Sequence, residues 1–155
     1  MKSSTRTTLG LWSELGKDAA EVRTQVFVKE QGIPAELEWD EIDKICIHVL
    51  VYSETASASK AVGTGRLIAP EKPDGAAKIG RMAVLQEYRR HGIGNDIMQA
   101  LIEHAFDAGY QSIVLSAQSY VQGFYANHGF EPEGAEYVEV GIAHQKMKLD
   151  LLESL

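Results

Sequence analysis

Apolar positions along the chain switch between a helical and a strand period. In "DAAEVRTQVFVKEQG" (residues 18–32), Val22 and Val26 stand four apart, a helical rather than an alternating spacing. Asp18 suits an N-cap, and Gly32 followed by Pro34 suits a stop, so a helix is predicted over 18–32. Three β-branched, apolar segments follow: "ICIHVLVY" (45–52), "AVGTGRLIA" (61–69) and "KIGRMAVL" (78–85). The stretches between them, 53–60 and 69–77, are rich in small, polar or proline residues and read as loops. Three strands joined by short loops predict an antiparallel meander.

The period then changes. Ile93, Ile97, Leu101 and Ala105 fall four apart, one stripe of an amphipathic helix that Gly109 is placed to end. "SIVLSA" (112–117) reads as a short buried strand. "SYVQGFYANHG" (119–129) reads as a helix, with Ser119 and Gln122 as a capping box and Gly129 at its close. Gly123 is unfavourable inside a helix, which a cofactor or a strand passing close by would explain. "AEYVEVG" and "HQKMKLDLL" supply two final strands. The order is strand, helix, a run of strands, helix, strand, helix and two strands. It predicts a mixed α/β sheet flanked by helices rather than a regular βαβ repeat.

Composition narrows the classes. The 155 residues suit a single domain with one sizeable core. A net charge of −7 opposes a general nucleic-acid binder, which needs a basic stripe to neutralise phosphates. The one cysteine, Cys46, excludes an intrachain disulfide and fits a reducing compartment. No apolar run reaches the length of a membrane span, and "MKSSTRTTLG" lacks the apolar core of a signal peptide. A cytoplasmic protein without membrane partners is expected.

Against this acidic background, "RRHGIGNDIM" (89–98) sets two arginines and a histidine before a glycine-rich helix start. Backbone N–H groups at a helix start lack intrahelical partners, and the helix dipole adds positive charge there. Glycine lets the backbone approach a bulky anion, and Arg89 and Arg90 can add charge-assisted hydrogen bonds. Together they make a pyrophosphate cradle. A P-loop would carry Lys-Ser or Lys-Thr where Asn95-Asp96 stands, and a Rossmann turn would carry a third glycine where Ile97 stands. The meander further opposes a Rossmann-type oxidoreductase.

The spacing Arg89-x-x-Gly92-x-Gly94 resembles the coenzyme A turn of the GNAT superfamily of acyl-CoA N-acyltransferases. Its setting strengthens the likeness: "GRMAVLQEYR" precedes the turn, a long helix follows, and Phe124-Tyr125 and Gly129-Phe130 match the family's "FY" and "GF". The resemblance runs from "EVRTQVFVKEQGIP" onward. With "LSAQ", "GFYANHGF" and "VEVGIAHQKMKL", it looks most like the ElaA-like or YjcF-like branch of small predicted acetyltransferases.

The resemblance implies a mostly antiparallel sheet with a splayed parallel strand pair holding acyl-CoA. The pantetheine arm would pair with Met82, Ala83 and Val84 like an added strand. The pyrophosphate would sit on the turn made by Arg89, Arg90, His91, Gly92, Ile93, Gly94 and Asn95, with Phe124 and Gln118 beside the cofactor. Tyr125 would protonate the departing thiolate, a role its neutral phenol suits. Glu30, at the end of the first predicted helix, and His144, after the Gly141 turn, would border the acceptor. The expected activity is acetyl transfer from acetyl-CoA to a primary amine of a small molecule or peptide, by direct attack in a ternary complex. A CoA-binding sensor without turnover is the alternative.

The general base stays open among Glu30, Glu38, Asp40, His48, Glu139 and His144. His48 shares a strand face with Cys46, Leu50 and Tyr52, where a core histidine is the commoner occupant. Cys46 has no orienting partner nearby in sequence and reads as a buried structural thiol. His48, His91, His104, His128 and His144 show no paired ligand spacing, so no metal is expected. The oligomeric state is open, a homodimer being the commonest closed assembly.

Overall fold

A computed structural model describes residues 4–38, 40–55 and 57–152. β1 (Ser4–Gly10) leads into α1 (Trp12–Arg23), which continues as a π-helical stretch over Thr24–Glu30. A short helix, α2 (Ala35–Glu38), and a 3₁₀ turn (Glu41–Lys44) precede β2 (Ile47–Glu54), β3 (Ser59–Ile68) and β4 (Ala77–Val84). Then come α3 (Ile93–Asp107), β5 (Ser112–Gln118), a 3₁₀ turn (Ser119–Val121) and α4 (Gln122–Ala126). β6 (Glu131–Pro132), β7 (Tyr137–Glu139) and β8 (Ile142–Asp150) end the described chain. Among the described residues, no helix is long and apolar enough to cross a membrane.

The strands form one sheet in the order β1-β2-β3-β4-β5-β8-β6, with β7 paired to β8. The predicted meander of β2, β3 and β4 is antiparallel throughout, and β4 and β5 are the parallel pair. The predicted stripe of Ile93, Ile97, Leu101 and Ala105 is fully buried. It packs on β3 at two residues without side chains: a Cβ on Gly63 would stand 2.7 Å from Ile93 Cγ2, and one on Gly65 2.9 Å from Ile97 Cγ2. Strand alternation puts Thr64 and Arg66 on the opposite face, and there Arg66 shares Asp43 with Arg23 of α1.

Three element boundaries differ from the sequence reading. α1 begins at Trp12 rather than Asp18, because the Glu14 carboxylate accepts the Leu11 N–H at 3.0 Å and caps the earlier start. Asp18 lies inside the helix and accepts the Tyr52 hydroxyl at 2.7 Å. The helix read over 119–129 is a 3₁₀ turn followed by only five α-helical residues. Ser119 caps nothing there; its hydroxyl donates to Glu136 at 2.8 Å. The last two strands are unequal, β7 having three residues and β8 nine, and they turn at Val140 and Gly141, both at positive φ. Positive φ at both central residues is the type I′ pattern of tight hairpins.

The parallel pair is short. Only Ala77, Lys78 and Ile79 pair with β5, opposite Ile113, Val114 and Leu115. Beyond Ile79 the β4 strand bulges: two steps along β3, Thr64 to Arg66, face three along β4, Ala83 to Gly80. Arg81 absorbs the extra residue at a φ of 52°. A bulge bends the strand that carries it, and here it opens β4 away from β5.

Candidate active site

The opening between β4 and β5 holds a cavity of about 390 Å³. Its walls are Phe27, Ile33 and Leu37 from the end of α1 through α2, Arg81 and Met82 of the bulge, Ser116 and Gln118 of β5, and Tyr125 of α4. Glu139, Ile142 and His144 of the last hairpin close the far side. Six residues singled out from sequence therefore share one cavity: Met82, Gln118, Tyr125, His144 and two of the base candidates, Glu38 and Glu139.

Tyr125 is half-buried, and its hydroxyl lies 3.9 Å from Met82 Sδ. Burial pushes its phenol up to about 12, so the hydroxyl keeps its proton at neutral pH. The Gln118 amide exchanges hydrogen bonds with Gln31, at 3.2 and 3.4 Å, across the mouth between β5 and the end of α1. His144 faces Gln118 in the β5–β8 register. Its Nδ1 lies 2.7 Å from the Ile142 carbonyl oxygen, to which it donates. That bond fixes the tautomer and leaves Nε2 as the acceptor nitrogen. The ring stacks on Tyr137, 5.8 Å between centroids.

The basic turn lies past the end of β4, outside the cavity lining. Gly92 takes a φ of 81° as the residue before α3, with no side-chain cap on the helix start and open space where a Cβ would be. Arg90 and His91 are exposed. Ile93 sends its side chain into the core, so only its backbone faces the turn. Gly94 makes room for Phe124, whose ring would stand 3.1 Å from a Cβ. Asn95 Oδ1 is 2.9 Å from His128 Nε2. Ala83 is buried, and the Val84 carbonyl accepts Arg89 Nε at 2.9 Å.

Glu30 is not among the residues that line the cavity. Its carboxylate grips the Arg89 guanidinium at 2.6 and 2.7 Å, tying the π-helical stretch to the turn. Two further base candidates are held in ion pairs on the α1 face. Glu38 lines the cavity but accepts Arg23 Nε at 2.6 Å, and Asp40 receives two bonds from Arg66 at 2.8 and 2.9 Å. Asp43 receives Arg23 at 2.9 and 3.0 Å and Arg66 at 2.8 Å. His48 is buried outside the cavity, its Nε2 2.9 Å from the Asp43 carbonyl, and burial lowers its pKa. Glu139 is exposed at the cavity rim.

Asp43, Cys46 and His48 bring ligand-type atoms within 4.8 Å of one another. The Asp43 carboxylate is committed to two arginines, and burial pushes the Cys46 thiol up to about 11. A metal needs deprotonated ligands with free electron pairs, and here the thiol keeps its proton while the carboxylate is already bonded to guanidinium donors. Arg81 and Lys78, which also line the cavity, carried no signal in the sequence reading. A register bulge brings Arg81 there, and one strand read alone does not reveal its bulges.

A sheet opened at its parallel pair, with a basic helix start past the opened strand, is the framework expected of an acyl-CoA-dependent transferase. The family model described as an acetyltransferase (GNAT) domain matches residues 16–151. The chain is 40% identical over 135 residues to YjcF of Bacillus subtilis strain 168, described as an uncharacterized N-acetyltransferase, over 86% of this chain and 91% of that protein. The fold matches the crystal structure of an acyl-CoA N-acyltransferase from Pseudomonas aeruginosa with a TM-score of 0.82 at 26% identity, over 94% of this chain and 99% of that one. Escherichia coli ElaA matches with a TM-score of 0.82 at 25% identity, over 95% of this chain and 100% of that one. The chain belongs to the acetyltransferase (GNAT) family, in the branch that contains YjcF and ElaA. It is an acyltransferase with acyl-CoA as cosubstrate.

Proposed function

We propose that this cytoplasmic, single-domain enzyme moves the acetyl group of acetyl-CoA to a primary amine by direct attack in a ternary complex. The observation that carries this reading is the shared cavity of Tyr125, Met82, Gln118 and His144 at the point where β4 leaves β5. The pantetheine arm lies along Met82, Ala83 and Val84, beside Gln118 and Phe124. The pyrophosphate rests on Arg90, His91 and the backbone of Gly92, Ile93, Gly94 and Asn95, and Arg89 joins it by exchanging Glu30 for phosphate. The amine nitrogen attacks the thioester carbonyl and the carbon–sulfur bond breaks. The nitrogen's proton leaves to His144 Nε2 or to water, while Tyr125 donates its proton to the thiolate. The products are an amide and CoA.

Binding and turnover are tested separately. A ligand at a hundredfold its Kd stabilises a fold by about 2.7 kcal/mol, a melting shift of roughly 5–10 °C for a chain of this size. Acetyl-CoA is expected to give that shift, and an unshifted curve at saturation overturns the cofactor assignment. CoA release with a panel of amines is expected to show turnover. A shift with no release by any amine favours a CoA-binding sensor on the same fold.

A further inference from the structure

Arg81 is the least explained side chain in the cavity. It is a non-glycine residue at a φ of 52°, in the left-handed region that favours glycine. Its guanidinium is about one-third exposed and lines the cavity. Its Nε is buried and hydrogen-bonds nothing among the described residues. The nearest acids stand at 3.6 Å (Glu38) and 3.5 Å (Asp40), longer than hydrogen bonds. Both acids have already given their short bonds to Arg23 and Arg66. Charge is thus balanced around Arg81, but its Nε is left without a hydrogen-bond partner among the described residues and the rest of its planar fork is partly open.

Such a fork matches a carboxylate in two-pronged geometry. The exposed Lys78, three residues earlier, adds a second cation to the same lining. The same lining holds the apolar Phe27, Ile33 and Leu37, the Tyr125 ring, and two carboxylates, Glu38, which is paired to Arg23, and the exposed Glu139. Strain that persists at a cavity wall points to function, and the one-third-exposed guanidinium on this lining is the group that a substrate carboxylate would meet.

We infer that Arg81 reads a carboxylate on the substrate, so that the preferred amine is an amino acid or the preferred acyl group a dicarboxylic one. This rests on the acyltransferase reading of the same cavity. With an amino acid, Arg81 and Lys78 hold the carboxylate while the α-amine faces the thioester near Tyr125. With a dicarboxylic acyl group, the same cations hold its far end.

The test pairs each proteinogenic amino acid with its decarboxylated amine, leucine with 3-methylbutylamine for example. Both members are assayed for CoA release from acetyl-CoA and for thermal shift. A second arm compares succinyl-CoA with acetyl-CoA on the decarboxylated amines. The carboxylate-bearing member is expected to win by about 10–100-fold in kcat/KM, the worth of a charged hydrogen bond, and the arm in which it wins identifies the source. Arg81→Gly removes the guanidinium while suiting the positive φ, and it should erase the preference through KM. Arg81→Lys, which keeps the charge beside Glu38 and Asp40, should restore part of it. The absence of any carboxylate preference in turnover or binding, or a preference that survives in Arg81→Gly, overturns the inference. Arg81-dependent binding without CoA release would overturn the acyltransferase reading and leave the inference standing. CoA release with no carboxylate preference would do the reverse.

Discussion

Tyr125 shows how much one residue can be asked to do at this site. Its ring packs edge-on to Phe124 and Phe130, 5.1 and 6.3 Å between centroids, so the phenyl part is fixed by its neighbours. Its hydroxyl, by contrast, has only a methionine sulfur within reach among the described residues. Tyr125→Phe keeps the packing and removes the hydroxyl alone. The turnover number is expected to fall by about 10²–10⁴, the range for a lost general acid. Acetyl-CoA affinity by calorimetry should stay unchanged. Because burial holds the phenol at about 12, ionisation of Tyr125 should leave the pH–rate profile flat through the neutral range. Equal turnover in mutant and wild type would return the residue to packing.

At the scale of elements, the contact between α3 and β3 sets the position of the basic turn. Residues with side chains on both surfaces would hold α3 further from the sheet, and Gly63 and Gly65 let it sit close. Gly63→Val would drive a side chain into Ile93 and Ile97 beneath the turn. Overpacking of this kind costs about 1–3 kcal/mol, read as a lower urea midpoint with an unchanged slope. The same close-packing logic accounts for a glycine inside α1. Gly16 breaks the helical pattern, yet a Cβ there would meet the Trp12 indole at 2.7 Å, so the glycine serves the tryptophan. Gly123 has no such neighbour: among the described residues, its own stretch of helix backbone aside, nothing lies within 4 Å of its missing Cβ.

Across the whole molecule, the α1 face joins apolar contact through Val22 and Val26 to a buried network of charge. Arg23, Glu38 and Asp43 are each almost wholly buried, and with Arg66 and Asp40 they join α1, α2 and β3. Removing one member of a buried pair leaves the other charge uncompensated, at a cost of about 3–5 kcal/mol. Asp43→Asn is expected to lower stability by that order at pH 7. Burial alone would raise the Asp43 carboxyl, but bonds and charge from Arg23 and Arg66 hold it below the ordinary range. The bond from Arg66 lowers Asp40 likewise. Depressed folded-state values mean a contribution present above the unfolded carboxylate value, about 3.9, and lost as pH falls below it. Glu38 runs the other way: burial raises its carboxyl, so its ionisation opposes folding as pH rises. Urea titrations from pH 7 to pH 3 should therefore show wild-type stability falling at the acid end, and a shallower fall in Asp43→Asn. Parallel curves would count against this role of Asp43.

The sequence by itself determined the elements whose signal is local. The stripe from Ile93 to Ala105 and the alternating segments of the meander depend on spacing within one segment, and α3 and the meander of β2–β4 lie where that spacing puts them. The glycine turn and the "FY" pair were legible for the same reason, as short runs in a recognisable order. What tertiary structure decided are the partners. Glu30 stands at the end of the first predicted helix with no local sign of a partner, and Arg89, 59 residues away, takes its carboxylate. Arg66 and Arg81 carry no local signal: Asp40 and Asp43, at the 3₁₀ turn, take Arg66 into a buried ion network, and a one-residue bulge in β4 puts Arg81 at the cavity. Register and charge pairing arise between segments distant in the chain. Period and propensity describe a segment alone, so they carry no information about which distant side chain will meet it.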